Sequence, residues 1–316
     1  MIVTVTLNIA LDVTYRVAAL SPGRSIRVNA VDQRAGGKGV NVARVLHGMG
    51  HEVTVVGFAG GVYGGTVTAD LMAEQLPGDL VPIAGQTRRT VTVVDAAGEA
   101  TVLLEPGPVI APSEWAGLVT RVARLAPRAD VVVLSGSLPP GVPEDAYAQL
   151  VSTVRSAGAP AILDTSGGAL SRGLAGRPSV VKPNLDELVA ATPGQDWAPG
   201  WLGIAQRADR LRAAGAEAVV ASLGRDGMIA TTPGGWWHAR LPAPHEVRGN
   251  PTGAGDAAVA ALAAGIAARC SWPELLADAV ALSAAAVRHD LAGSVDSAVY
   301  QDLLGHVQVA EIDAGG

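Results

Sequence analysis

The chain has 316 residues, 49% of them hydrophobic, 16% charged and only 3% aromatic. This is a globular composition that one α/β domain over 1–316 can hold, although length alone also allows two. With a net charge of -6 and few aromatic side chains it lacks the cationic footprint and stacking platforms of a nucleic-acid binder, so no nucleic acid is expected; a lone cysteine, Cys270, fits a cytoplasmic setting.

Residues Ile2 to Leu7 alternate with no basic region before them, which predicts a first strand rather than a signal peptide. Asn8 to Asp12 then leave its C-terminal end, where open α/β sheets bind ligands. There Asp12 is placed either to accept hydrogen bonds from sugar hydroxyls or to make a turn. Two segments, Ser25 to Arg34 and Arg89 to Leu104, are polar, β-branched and alternating. They are expected to pair as a small separate sheet, a lid over about 12–34 and 86–104 that excludes water. Between them, Ala35-Gly36-Gly37-Lys38-Gly39-Val40-Asn41 is a glycine turn opening a helix with Val42, Val45 and Leu46 on one face. A lysine opposes the dipole at a helix N-terminus, so Lys38 is expected to meet an anion or polyol there, or else to reach out to water. The stretch is not a Walker A loop, since Gly39 stands where Ser or Thr should follow the lysine.

Strand Val53 to Phe58, helix Thr66 to Gln75, helix Ser113 to Leu125, strand Asp130 to Leu134, helix Pro143 to Ala157 and strand Ala161 to Leu163 continue an alternation. It predicts a mostly parallel sheet covered on both faces. Ser135 to Gly141 and Asp164 to Gly168 are further loops at the ligand edge. Asn184 and Glu187, three apart at a helix start, suit a hydrated Mg²⁺ beside a phosphate and equally a capping box. After helix Gly203 to Ala213 and strand Ala218 to Leu223, the turn Gly224 to Gly227 and strands Met228 to Thr231 and Trp236 to His238 offer backbone to a nucleotide. Helix Pro273 to Arg288 and a tail from Gly305 expected to fray into glycine close the chain.

The stretch with the most chemistry is Asn250-Pro251-Thr252-Gly253-Ala254-Gly255-Asp256, a glycine turn running into an alanine-rich helix. Bare N–H groups and the positive end of the helix dipole favour an anion here. Asp256 in the first turn is expected to be ionised, because a helix N-terminus lowers a carboxyl pKa. Such a carboxylate can take the proton of a hydroxyl attacking a phosphoryl group, or merely complement the dipole. The apolar run from Ala257 is too short and alanine-rich for a membrane span, and none is expected. No Gly-x-Ser-x-Gly elbow accompanies it, and His47 and His51, though four apart, are not expected to pair on a metal because Gly50 should end the helix between them.

Two signatures resemble the ribokinase or PfkB carbohydrate-kinase family: Gly36-Gly37-Lys38-Gly39-Val40-Asn41-Val42-Ala43 and Pro251-Thr252-Gly253-Ala254-Gly255-Asp256. The resemblance implies a three-layer α/β fold with a central, mostly parallel sheet and a β-sheet lid, often the surface of a homodimer, and MgATP as donor. It further implies Asp256 as the base and Gly253, Ala254 and Gly255 as the anion hole. Asp12, Gly37, Lys38 and Asn41 match the sugar side, and Lys182, Asn184, Ser222, Gly224 and Gly227 the nucleotide side. Asn184 and Glu187 match the Asn-x-x-Glu motif linked to Mg²⁺ through water. Thr6-Leu7-Asn8-x-Ala10-Leu11-Asp12, Ser135-Gly136-Ser137-Leu138-Pro139 and Val181-Lys182-Pro183-Asn184 are similar to the branch of 1-phosphofructokinase, 6-phosphofructokinase and tagatose-6-phosphate kinase. That branch implies a ketohexose phosphate as acceptor, with Arg27, Arg88, Lys38 and Ser137 around it; a free sugar, a nucleoside or a non-catalytic sensor are the alternatives. Ile9, Ala257 and Arg89-Thr90 depart from its usual residues.

Overall fold

A computed structural model describes residues 1–313 apart from 195, 196, 248, 250 and 290. In chain order, β1 (Ile2–Thr6), β2 (Ala10–Val17) and β3 (Val28–Gly36) lead to α1 (Lys38–Gly48), β4 (Val53–Ala59), α2 (Gly61–Ala73) and β5 (Gly78–Pro82). Then come β6 (Arg88–Val94), β7 (Ala100–Leu104), α3 (Pro112–Leu125), β8 (Val131–Ser135), α4 (Ala146–Ser156), β9 (Ala161–Asp164) and α5 (Gly167–Gly173). The last part holds β10 (Val180–Val181), α6 (Leu185–Ala191), α7 (Gly200–Ala213), β11 (Ala218–Ser222), β12 (Met228–Thr232), β13 (Gly235–Arg240), α8 (Ala254–Ala267), α9 (Trp272–Val287), α10 (Ser297–Leu304) and β14 (Gln308–Glu311).

The large sheet has the order β14-β13-β12-β11-β10-β9-β8-β1-β4-β5. It is parallel from β5 through β11 and antiparallel from β11 to β14. Successive strand residues point to opposite faces, and both faces are apolar. Val131 and Val133 join one core with α1, α8 and α9, while Val132 and Leu134 join the other with α3, α4 and α7. This yields three layers, as the unbroken Val-Val-Val-Leu run of β8 requires. Alanines let α8 lie close against its neighbours: a Cβ on Gly265 would lie 2.3 Å from the Leu275 side chain.

The small sheet has the order β3-β2-β6-β7. The two polar segments expected to pair with each other therefore do not touch edge to edge, because β2 lies between them. Its signal was in the sequence: Leu11, Val13, Tyr15 and Val17 alternate with Asp12, Thr14 and Arg16. Asp12 is consequently a strand residue of the small sheet, paired with Arg34 and Thr90, and not part of a loop. The tail also differs from expectation, since Gln308–Glu311 pairs with β13 instead of fraying; residues 314–316 lie outside the described part. α5 and α10 went unread because glycines and polar residues mask short helices, and β5 because Pro82 ends it, which an edge strand tolerates. No described helix is long and apolar enough to cross a membrane.

Candidate active site

Strand order reverses at β1, whose sheet neighbours are β8 on one side and β4 on the other. Open sheets bind ligands at such a switch point, beyond the strands' C-terminal ends. Side chains converge there from β1, β8, β9 and β10. Asn8, just past β1, donates from Nδ2 to Ser137 Oγ, just past β8, at 3.0 Å. Asp164 ends β9 and Lys182 follows β10.

The two glycine turns meet in this place. Gly37 caps α1 with φ 105, and a Cβ there would lie 2.9 Å from the Thr6 side chain, so glycine is required on two counts. The turn aims Lys38 and Asn41 from the first turn of α1 toward α8. Asn41 Nδ2 donates to Asp256 Oδ2 at 2.9 Å. On the other side Gly253 caps α8 with φ 86, and a Cβ on it would lie 2.8 Å from Ala292. The first N–H groups of α8 have no partner within the helix. A Cβ built on Gly255 would stand 3.5 Å from Lys182 Nζ, so glycine brings bare backbone and an ammonium to the same spot. Bare helix N–H groups beside an ammonium are an arrangement that can receive an anion.

Electrostatics adds what spacing could not. Asp164 is buried, with Lys182 Nζ at 3.4 Å from Oδ1 and Lys38 Nζ at 3.3 Å from Oδ2. Burial alone would raise its pKa, but Lys182 and Lys38 outweigh this and hold the carboxyl below its usual range. The anion beside Lys38 is thus Asp164, a side chain of the protein and not a ligand, and it keeps Lys38 charged despite desolvation. Asp256 behaves contrary to expectation. It is 7% exposed, and burial, with the nearby Asp164 charge, pushes its carboxyl up to about 7 against the pull of Lys38, Asn41 and Lys182. Desolvation of the buried carboxyl is the largest of these effects.

On the small sheet, Asp12 is likewise raised by burial, against a hydrogen bond from Thr90 and the charges of Arg88, Arg44 and Arg34. Its carboxylate lies over Gly36, where a Cβ would stand 2.0 Å from Oδ2. Arg88 donates from Nε to the Asn8 carbonyl at 3.1 Å, which brings it to the same corner as Ser137. Arg27 is exposed in the stretch before β3.

Asn184 and Glu187 form the capping box: Asn184 Oδ1 accepts from the Glu187 amide at 2.8 Å, and Glu187 Oε2 accepts from the Asn184 amide at 2.9 Å. Among the described residues no three His, Cys, Asp or Glu side chains cluster to hold a metal directly. The Asn184 and Glu187 side chains are already engaged in the box, and the Glu187 charge is felt at Lys38. This donor set fits an ion that keeps its waters, as Mg²⁺ does. Ser222, at the end of β11, donates its amide to the Pro183 carbonyl at 3.0 Å. Gly224 (φ 62) has open space, whereas Gly227 (φ 83) is needed for packing, since its Cβ would lie 2.0 Å from the Ala239 carbonyl. Sequence reasoning passed over Asp164, Asn8 and Arg44; the signal for Asp164 was a lone carboxylate ending an apolar strand.

A family model described as pfkB family carbohydrate kinase matches residues 3–298. Among solved structures, phosphofructokinase-2 from Escherichia coli is similar at a TM-score of 0.90 in its potassium complex and 0.88 in its fructose-6-phosphate complex, with 30% identity over 96% of this chain and 98% of that chain. A possible 1-phosphofructokinase from Thermotoga maritima has a TM-score of 0.88 and 27% identity, covering 99% of each chain. Ribokinase from Arabidopsis thaliana, at 22% identity and a TM-score of 0.76 over 96% of this chain and 98% of that one, shares the fold.

Proposed function

The chain belongs to the pfkB family of carbohydrate kinases, and we propose that it transfers the γ-phosphoryl group of ATP to a hydroxyl of a ketohexose phosphate, namely fructose 1-phosphate, fructose 6-phosphate or tagatose 6-phosphate. The observation that carries this reading is the Asn41–Asp256 hydrogen bond at the mouth of the α8 anion hole, which joins the sugar-side turn to the phosphoryl-side turn. A base with a pKa of about 7 is matched to neutral solution, where general-base catalysis works best.

In this reading the acceptor hydroxyl lies against Asp256 and gives its proton to the carboxylate as it attacks. Asn41 fixes which carboxylate oxygen faces the hydroxyl. The N–H groups of Gly255 and its neighbours, with Lys182, hold the charge that grows on the transferring group. Mg²⁺, when bound, would neutralise polyphosphate charge through waters held by Asn184 and Glu187. Asp12, Gly37, Lys38 and Asn41 would orient the sugar, and Ser222, Gly224 and Gly227 would face the nucleotide. The small sheet would close over the acceptor as a lid. For a phosphorylated acceptor the support is the cationic corner of Arg88 with Ser137, the chemistry a sugar phosphate needs, and the likeness to a fructose-6-phosphate complex.

The test is Mg²⁺-dependent ADP release over the three ketohexose phosphates, free hexoses and nucleosides. We expect one ketohexose phosphate to exceed every free acceptor at least tenfold in kcat/KM, and Arg88→Ala to raise KM for it while leaving KM for ATP unchanged. Equal or better turnover of a free sugar or nucleoside overturns the phosphosugar reading. No release with any acceptor overturns the kinase reading in favour of a sensor.

A further inference from the structure

Arg44 is the one charged residue in the run Gly39 to Leu46 of α1, which is buried on every side, and it is only 9% exposed. A buried guanidinium costs desolvation unless every direction of its fork is met. Here it is met. Nη1 donates to the Ala35 carbonyl at 2.6 Å, Nη2 to Asp70 Oδ2 at 2.9 Å, and Nε to Glu74 Oε2 at 2.6 Å. Asp70 Oδ2 in turn accepts from the Ala35 amide at 2.7 Å. Both polar groups of one peptide residue are therefore held by side chains from α1 and α2.

Ala35 lies where this matters. It is near the end of β3, the edge strand of the small sheet, whose outward N–H and C=O groups lack a further strand. It pairs with Leu11, next to Asp12, and precedes Gly36, on which the Asp12 carboxylate rests. Two residues later the chain enters α1 through Lys38. The clamp thus lies at the junction between the small sheet and the large domain, and the sugar-side residues Asp12, Gly37 and Lys38 hang from it.

We propose that Arg44, with Asp70, is a positioning residue for the sugar acceptor: it fixes the root of the lid so that Asp12 and the Gly36–Lys38 turn keep their spacing. It touches no reacting group and acts through the Ala35 peptide. The proposal needs a sugar kinase but not a phosphorylated acceptor. Geometry errors of about 1 Å at such a remote support cost up to ~10²-fold, so the effect belongs on acceptor binding and alignment.

The experiment uses the full chain and two readouts. Hydrogen exchange on Arg44→Met, with no substrate present, should accelerate the amides of residues 34–38 at least tenfold while those of α8 keep wild-type protection. Steady-state kinetics with the wild type's best acceptor should show KM for that acceptor rising at least tenfold, with KM for ATP within twofold; Arg44→Lys should recover part of the loss. Asp70→Asn, which keeps the shape and removes the charge, should show the same split in milder form and serves if Arg44→Met does not fold. Exchange that speeds up evenly over the molecule, or KM values for both substrates that stay flat or rise together, would overturn the proposal and leave Arg44 a plain stabilising residue. Because the exchange readout needs no turnover, its failure is separable from failure of the substrate assignment.

Discussion

Asp256 carries two predictions of opposite sign. In the proposed mechanism catalysis needs its carboxylate, so kcat/KM should fall on the acid side with a midpoint at about 7. Asp256→Asn should remove that limb and cost ~10²–10⁴-fold or more in kcat, with acceptor KM nearly unchanged. Stability runs the other way. For a carboxyl raised from 3.8 to about 7 in the folded state the stability contribution is full below about 3.8, falls as pH climbs from there to about 7, and changes no further above. At pH 8 the ionised carboxylate costs about 4 kcal/mol as an upper figure. Asp256→Asn should therefore be more stable than the wild type at pH 8 and equal to it near pH 4, as urea midpoints would show. A variant less stable at both pH values would remove burial as the cause of the shift.

Helix ends carry the chemistry at the next scale. Gly253 holds φ 86 and abuts Ala292, so Gly253→Ala strains the cap of α8 and pushes the 292–293 segment away. The expected cost is about 1–3 kcal/mol of stability in denaturant, together with a lower kcat. At α6 the two roles of one motif separate by substitution. Asn184→Ala breaks the capping box and should cost about 0.5–2 kcal/mol. Glu187→Gln keeps an acceptor for the Asn184 amide yet loses the charge, so it should preserve the unfolding midpoint while raising the Mg²⁺ concentration for half-maximal rate. An unchanged Mg²⁺ requirement would confine Glu187 to capping.

For the whole molecule, the small sheet exposes apolar surface on both faces. Leu103 (57% exposed) lies in one row with Val91 and Val13, and Leu104 (70% exposed) in the next row with Thr90 and Asp12. Paired strand residues share a face, so Leu104 extends from the face that carries Asp12. We expect two chains to cover these rows by docking their lids. Leu103→Asp with Leu104→Asp should convert a dimer to a monomer in sedimentation equilibrium and raise acceptor KM; a monomeric wild type would refute the arrangement.

The amino-acid sequence by itself determined the layered fold, the two glycine turns and their residues, because alternation, apolar runs and positive-φ glycines are local properties of the chain. β2 is equally legible in the alternation of Leu11, Val13, Tyr15 and Val17, although the ligand-edge position after β1 favours a loop there. Only the tertiary structure decided that Asp256 is held near neutrality and that Asp164 joins Lys38 to Lys182. Each depends on which side chains from remote segments share a site and how much water they exclude, and no spacing along the chain encodes either.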